Sequence, residues 1–401
     1  MRGFILTGLS FLLTACGSAW NDPYPASDRG RNILYTAFTD RPKHLDPVQS
    51  YSEDEITFTA QIYEPPFQYH YLERPYELVP ATAAGVPKPR YLDARGRPLP
   101  DDAAPSRIAF TDYVVAIRPG IRYQPHPAFA EQPADLSRID TLADFPNRGT
   151  RELTAEDYAY GIKRLAHPRL HSPILGLMGE YIVGLDDLSK RLHAAEKSVP
   201  SERRDSMRNE WLDLRPHALE GVEVLDRYRY RIRIKGKYPQ FLYWLAMPFF
   251  APMPWEADRF HSRPGMAEKN LTLDWYPVGT GPYMLTENNP NARMVLERNP
   301  NFRGEPYPCE GEPGDREAGL LADCGKTLPF IDKVVFTREK EQIPYWNKFL
   351  QGYYDASGIS SDGFDQAVQV SGGGEVSLTD AMREQGISRA TSVATSTFYM
   401  G

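Results

Sequence analysis

The chain has 401 residues and a formal net charge of -7. That length exceeds one ordinary core, because domains usually run to about 100 to 200 residues, so we expect two or three domains. Hydrophobic residues make up 41% and the mean hydropathy is -0.51, which excludes a membrane-embedded bundle. The negative charge argues against nucleic acid as a partner, because such binding needs basic surface. The 36 prolines predict many loops.

The first predicted element is an apolar run at residues 4–15, preceded by Arg2. This run is too short for a bilayer core, which takes about 20 residues, and it is typical of a secretory signal peptide. The letters LTAC at residues 13–16 resemble the bacterial lipobox, in which Cys16 becomes the first mature residue and carries a lipid. The alternative is an ordinary signal peptide with an incidental cysteine. We expect residues 17–31 to form a polar tether.

Strand and helix patterns follow in alternation. Residues 33–38 have the β-branched and aromatic content of a buried strand. Residues 53–64 predict a helix that a proline pair ends. A second strand is predicted at residues 113–118, before a long proline-bearing loop at residues 121–152. In the first predicted helix, the residues at helical spacing are Ile56, Thr59, Ala60 and Tyr63.

The next helix starts with a capping-box pattern at Thr154, and its apolar residues continue at helical spacing to Leu165. Charges dominate residues 186–214, which predict two surface helices. In residues 228–235 four cations alternate with apolar residues, which indicates a half-buried strand with a solvated or ion-paired face, and we assign that face no site. Residues 242–249 are predicted to pack in the core. Further strands are predicted at residues 294–297 and 334–337, and a further helix at residues 342–350.

Two cysteines besides Cys16 form an even set. We expect Cys309 and Cys324 to pair as a disulfide in an oxidising compartment. The acidic loop between them includes residues 310–315, and a bridge that clips a surface insertion is the simplest reading. Two thiols with no CxxC or histidine nearby make a poor zinc site.

Several segments, taken in order, resemble solute-binding protein family 5, which serves importers of oligopeptides, dipeptides, nickel chelates and other solutes. The resemblance covers nearly all of residues 33–401. Its most specific part is PVGTGPY at residues 277–283 with VLERNPNF at residues 295–302. The other matching segments are HLDP at 44–47, IYEP at 62–65, VAIRPGIRY at 115–123, LTAEDY at 153–158 with KRL at 163–165, and LQGYYD at 350–355.

This resemblance implies an α/β type II periplasmic-binding-protein fold, with two hinged lobes and an additional domain that close around a ligand. The chain ends where relatives continue with a large further segment, so we expect a fold that is incomplete at the C-terminus. That later segment holds the acidic residue that binds the peptide's amino end in relatives. The implied boundaries are leader 1–16, tether 17–31, lobe I 32–50 and 222–337, additional domain 51–221, and the start of a third domain 338–401.

Two features depart from the family pattern. Residues 124–127 read QPHP where many relatives have an Asp-Gly pair, and the loop beyond is longer. Pro65 and Pro66 replace the usual helix exit.

The resemblance places one candidate ligand contact at the loop of Ser50, Tyr51, Ser52 and Glu53. Tyr51 would stack or hydrogen-bond with the ligand, and Glu53 would receive a cation. The alternative is a helix start in which Ser52 caps the helix and Glu53 favours its dipole. Both interpretations stay open at this stage.

The second candidate contact is the GTG turn of Gly279, Thr280 and Gly281. Its glycines permit a tight connection before a strand, and a structural role is the main interpretation. As a phosphate motif it is weak, because the following proline removes a donor. The turn still qualifies as lining for a cleft.

We therefore expect a non-enzymatic, periplasmic, lipid-anchored and monomeric binding component of an ABC importer, which delivers peptides or another small solute to a permease and ATPase. A ligand sensor is the alternative. An exported hydrolase fits less well, because the chain has no HExxH or G-x-S-x-G motif. His167 and His171 have chelating spacing, but Pro168 starts a loop between them. No cofactor or metal is expected.

Overall fold

A computed structural model describes residues 23–207, 209–359, 363–374 and 376–391. The strands are β1 (Ile33–Phe38), β2 (Phe67–Tyr69), β3 (Leu78–Pro80), β4 (Arg90–Leu92), β5 (Phe110–Ala116), β6 (Val222–Asp226), β7 (Arg229–Lys235), β8 (Tyr283–Asn289), β9 (Arg293–Arg298), β10 (Glu305–Pro306), β11 (Thr327–Leu328), β12 (Lys333–Arg338), β13 (Val368–Val370) and β14 (Val376–Leu378). The helices are α1 (Glu53–Ile62), α2 (Ala155–Arg164), α3 (Leu175–Tyr181), α4 (Leu185–Lys197), α5 (Ser201–Ser206), α6 (Phe241–Trp244), α7 (Trp255–His261), α8 (Gln342–Leu350), α9 (Phe364–Ala367) and α10 (Asp380–Glu384). Among the described residues, no helix has the length and apolar character needed to cross a membrane.

The chain divides into a larger unit at residues 40–334 and a smaller unit at residues 1–39 and 335–401. The larger unit contains an antiparallel sheet in the order β4, β5, β7, β6. On β7, Tyr230 and Ile232 are buried, while Arg233 on the other face donates to Asp112 of β5 at 2.7 Å. The predicted alternation and the ion-paired face of this strand are therefore confirmed.

Helix α2 begins after Thr154 with the predicted capping box, which pairs Thr154 with Asp157. At the other end of α2, Arg164 donates to both carboxylate oxygens of Asp46 at 2.8 and 2.7 Å. Arg164 is only 1% exposed and reaches Asp258 as well, at 3.3 Å. Because a buried charge needs paired partners, this contact fixes the HLDP segment against α2.

Of the four residues whose spacing predicted helix α1, Thr59 and Tyr63 are buried, and Ile56 and Ala60 are not. Phe58 and Ile62 are buried, whereas Ile56 is 37% exposed and Ala60 is exposed. The reason is that Ile56 and Ala60 line a cavity and are not packed into the core. The helix ends at Ile62, close to its predicted end.

The smaller unit contains β1 beside residues 335–338 of β12, the hairpin of β13 and β14, and helices α8 to α10. Its core includes Trp346, Val368 and Met382. The described part of the predicted tether is folded here, since the ring of Tyr24 stacks on Tyr35 with centroids 3.5 Å apart. Cys16 lies outside the described residues.

Candidate functional site

The larger unit contains a cavity of about 660 Å³ with a mainly apolar and aromatic lining. This volume falls within the range of about 300 to 1,000 Å³ that is usual for ligand pockets. Six segments contribute to it. The lining comprises Ile56, Ala60, Gln61, Tyr63, Glu64, Pro65, Phe67, Gln68, Tyr69, Tyr71, Ala81, Ala246, Met247, Pro248, Pro282, Tyr283, Phe302, Glu305, Tyr307, Leu328, Pro329, Phe330 and Ile331.

A buried ion pair lies at the end of α1 in the cavity wall. Arg303 donates from Nη1 to the two carboxylate oxygens of Glu64 at 2.8 and 2.9 Å, and from Nη2 to the carbonyl oxygen of Ala81 at 2.9 Å. Glu64 is only 7% exposed. Burial raises the pKa of Glu64, and the charge of Arg303 opposes that rise. These charge-assisted contacts fix the loop after β9 against the end of α1.

Tyrosines form another wall. The rings of Tyr71 and Tyr307 are nearly parallel, at 5°, with centroids 6.4 Å apart. Phe330 extends the stack, 6.1 Å from Tyr307. Burial, followed by the nearby Glu305 carboxylate, raises the pKa of Tyr71 to about 12, so its hydroxyl stays protonated at neutral pH. Gln68 donates from its amide to Glu305.

The predicted contact loop precedes α1. Ser50 is buried, and Tyr51 is 66% exposed with its ring centroid 6.1 Å from that of Phe249. Ser52 is the N-cap of α1, as its alternative interpretation predicted, and its side chain accepts from the backbone N–H of Glu55 at 3.4 Å. Glu53 is exposed as the first residue of the helix.

The loop and the cavity lie along the same helix. Ile56 lines the cavity and is one helical turn beyond Ser52 and Glu53. Pro248, which also lines it, precedes the Phe249 that contacts Tyr51. The structure therefore brings the loop to one end of the cavity, although none of its four residues is in the lining.

The GTG turn packs against the end of α1. Gly281 donates its N–H to the carbonyl oxygen of Ile62 at 2.8 Å, and a Cβ atom on Gly279 would lie 1.8 Å from the same oxygen. Thr280 is 1% exposed. These contacts favour the structural interpretation, in which the turn positions the cavity residues Pro282 and Tyr283. A direct ligand contact of Gly279, Thr280 or Gly281 stays a prediction.

His167 and His171 do not share a helix, because α2 ends at Arg164. Both line a second, polar cavity of about 450 Å³. His167 accepts at Nδ1 from the backbone N–H of Arg169 at 3.1 Å, and burial lowers its pKa to about 4. In the part of the chain that the structure describes, no group of His, Cys, Asp or Glu side chains is arranged to hold a metal ion.

Cys309 and Cys324 form a disulfide with their Cα atoms 4.5 Å apart. The bridge closes a loop next to the ladder of β10 and β11, in which Glu305 pairs with Leu328. Both of these residues line the first cavity. The disulfide therefore restrains an insertion that borders the cavity wall.

The sequence analysis missed most of the lining. The pair of Glu64 and Arg303 joins residues 239 positions apart, so no local spacing indicated it. Tyr71 and Tyr307 belong to segments with no regular periodicity. The available signals were three motifs, since IYEP contains Glu64, PVGTGPY contains Pro282 and Tyr283, and VLERNPNF contains Phe302.

The fold is that of periplasmic solute-binding proteins. Similar solved structures include Listeria monocytogenes OppA bound to peptide, at 15% identity and TM-score 0.52. Others are the Escherichia coli murein tripeptide binding protein MppA, at 16% and 0.51, and Haemophilus influenzae OppA complexed with RPPGFSPFR, at 15% and 0.51. Each similarity covers 84% of this chain and 48% of the other, so this chain spans about half the length of those proteins.

A match to a protein-family model identifies the family of this chain. Residues 148–394 match the middle part of the bacterial extracellular solute-binding proteins, family 5. This match covers more than half of the chain, and the chain belongs to that family, which the analysis of its motifs predicted. The family is one of binding proteins rather than enzymes. No curated protein matches the chain.

Proposed function

We propose that this protein is the extracytoplasmic substrate-binding component of an ABC importer, which captures peptides and delivers them to a membrane permease. The observation that carries the proposal is a cavity of peptide-binding size in a chain of solute-binding family 5. Similar structures hold peptides, according to their descriptions. Attachment through Cys16, a monomeric state and closure of two hinged lobes belong to the same proposal.

The chemistry of the lining supports a peptide guest. Aromatic and apolar side chains cover most of the wall and suit varied side chains of a ligand. Gln61 and Gln68 offer amide groups that donate to or accept from peptide backbone. Tyr51 is 66% exposed at the end of the cavity, where it is free to stack on a bound chain.

The test uses the full-length protein and a defined mixture of tri- to hexapeptides. Mass spectrometry identifies the peptides that the protein retains, and calorimetry measures their affinity. We expect retained peptides to be released unchanged. Retention of no peptide, or hydrolysis of the retained ones, would rule the proposal out.

The predicted loop has its own test. The double variant Tyr51→Ala with Glu53→Ala should weaken the binding of a retained peptide about tenfold or more, because one ring contact and one charge are lost. The melting curve of the unliganded protein should change little, since both side chains are exposed. Unaltered calorimetric affinity would remove the loop from the site and leave the cavity as the candidate.

A further inference from the structure

Glu305 is a charged residue of the cavity wall for which the described part of the chain supplies no cation. Two charged residues line the cavity, Glu64 and Glu305, and neither is a cation. Arg303 pairs with Glu64. The partners of Glu305 in the described part of the chain are neutral, namely the Gln68 amide and the Tyr71 hydroxyl, and no ion pair to it is found there. A partly buried carboxylate without a cation costs free energy. The position of Glu305 therefore suits a positively charged group of a bound ligand.

The surroundings of Glu305 suit a cation. Tyr71 and Tyr307 line the same wall, and Phe330 extends their stack. Aromatic faces attract an ammonium or a guanidinium through their negative electrostatic potential. The protein already uses this contact nearby, since the guanidinium of Arg74 lies 4.7 Å from the ring centroid of Tyr76.

The approach to the cavity is acidic as well. A third cavity, of about 550 Å³, is lined by Glu73, Glu77 and Glu312. It adjoins the first through Tyr69, whose ring centroid lies 5.5 Å from that of Tyr76 and 6.2 Å from that of Tyr243. The cation among its lining residues, Arg74, lies over Tyr76 and donates to the carbonyl oxygen of Glu73. The negative potential there favours the entry of positively charged solutes.

We propose that the solute carries a positively charged group, of the kind found in a lysine or arginine side chain, which pairs with Glu305 beside Tyr71 and Tyr307. This inference rests on the proposed function and narrows its substrate class to cationic peptides. The apolar remainder of the lining takes the uncharged part of the peptide.

The experiment compares two sets of tetrapeptides on the full-length protein by calorimetry. One set carries lysine at each position of an alanine peptide in turn, and the other carries norleucine, which keeps the hydrocarbon stem and lacks the charge. We expect the best lysine peptide to bind at least tenfold more tightly than its norleucine counterpart. The preference should shrink between low and high salt, because ions screen the interaction.

Two variants locate the effect. Glu305→Gln should weaken the lysine peptide about tenfold to a hundredfold and leave the norleucine peptide nearly unchanged. Glu268→Gln removes the same charge from an exposed residue outside the cavity and should change neither affinity. The comparison of lysine and norleucine peptides on the wild-type protein tests the proposal even if Glu305→Gln folds poorly.

The outcomes separate the two claims. Equal affinity for both peptide sets in the wild-type protein would overturn the cationic assignment and leave peptide capture intact. A lysine preference that survives in folded Glu305→Gln would overturn the role of Glu305. Failure of every peptide to bind would overturn the proposed function and this inference together.

Discussion

At the scale of single residues, the approach of Gly279 to Ile62 shows why the GTG turn needs glycine. A Cβ atom at position 279 would lie 1.8 Å from the Ile62 carbonyl oxygen, a backbone atom that has no rotamer by which to move away. The N–H of Gly281 also donates to that oxygen, so the turn and the end of α1 form one contact. A larger residue would separate the two segments that flank the cavity.

Gly279→Ala should therefore lower the free energy of unfolding by about 3 kcal/mol, the upper part of the range for overpacking. Denaturant titration of the full-length protein measures the change. Gly85→Ala is the matched control, because a Cβ atom there meets nothing within 4 Å. Equal stability of the two variants would show that the turn can shift to accept a side chain.

Sequence reasoning at this scale identified the turn and its structural role but not its partner. Glycine and proline letters indicate a constrained backbone whatever lies opposite it. Ile62 is more than 200 positions away, and nothing in the spacing of residues 277–283 points to it. The ion pair of Glu64 and Arg303 could not be predicted from the sequence for the same reason.

At the scale of elements, the start of α1 depends on one carboxylate. Glu55 accepts from the backbone N–H groups of Tyr51 at 2.8 Å, His44 at 2.9 Å, Lys43 at 3.0 Å and Ser52 at 3.2 Å. It thereby completes the capping box and fixes the loop that carries Tyr51. Burial alone would raise the pKa of Glu55, but the four donors outweigh it and hold the pKa below its ordinary value of 4.5.

Glu55→Gln should cost about 2 kcal/mol of unfolding free energy at pH 7, because the charge-assisted hydrogen bonds weaken. The folded state favours the ionised form, so this contribution is fully present above the unfolded pKa near 4.5 and is lost as pH falls through the lower folded pKa. Denaturation curves from pH 7 to pH 3 should show the two proteins converging. Glu53→Gln, at the exposed neighbouring position, is the control. A difference in unfolding free energy between the wild-type protein and Glu55→Gln that stays constant at every pH would contradict the prediction.

Elements with strong local patterns could be predicted well. The strand β1 and the helix α8 have the predicted bounds, and α2 begins at its predicted cap. The second strand starts at Phe110, three residues before its prediction, because pairing with β7 continues to that point. Of the four residues whose spacing predicted α1, Thr59 and Tyr63 are buried, whereas Ile56 and Ala60 are exposed and line the cavity, because spacing alone does not distinguish a core from a cavity wall.

At the scale of the whole molecule, the cavity is a product of distant segments. Its lining runs from Ile56 to Ile331 and comes from six separate segments of the chain. The sequence predicted the fold class through its motifs, but it could not predict which loops converge, because that depends on tertiary packing. That packing determines that Arg303 pairs with Glu64 and not with Glu305.

Buried histidines link the stability of the larger unit to pH. His261 donates from Nδ1 to the carbonyl oxygen of Leu271 at 2.8 Å, and burial lowers its pKa to about 4. Its ring centroid lies 5.3 Å from that of His126, whose pKa burial holds well below the ordinary value. Both rings are therefore neutral in the folded protein at pH 6, whereas unfolded histidine takes up a proton near pH 6.5.

Between pH 6.5 and pH 4 the unfolded state binds more protons, so the free energy of unfolding should fall as the pH is lowered. His261 alone should account for about 3 kcal/mol of that loss, from its shift toward 4. His261→Asn keeps a donor for Leu271 and should flatten the slope of unfolding free energy against pH. His171→Asn, at an exposed position, is the control, and an unchanged slope in His261→Asn would show that other groups carry the acid sensitivity.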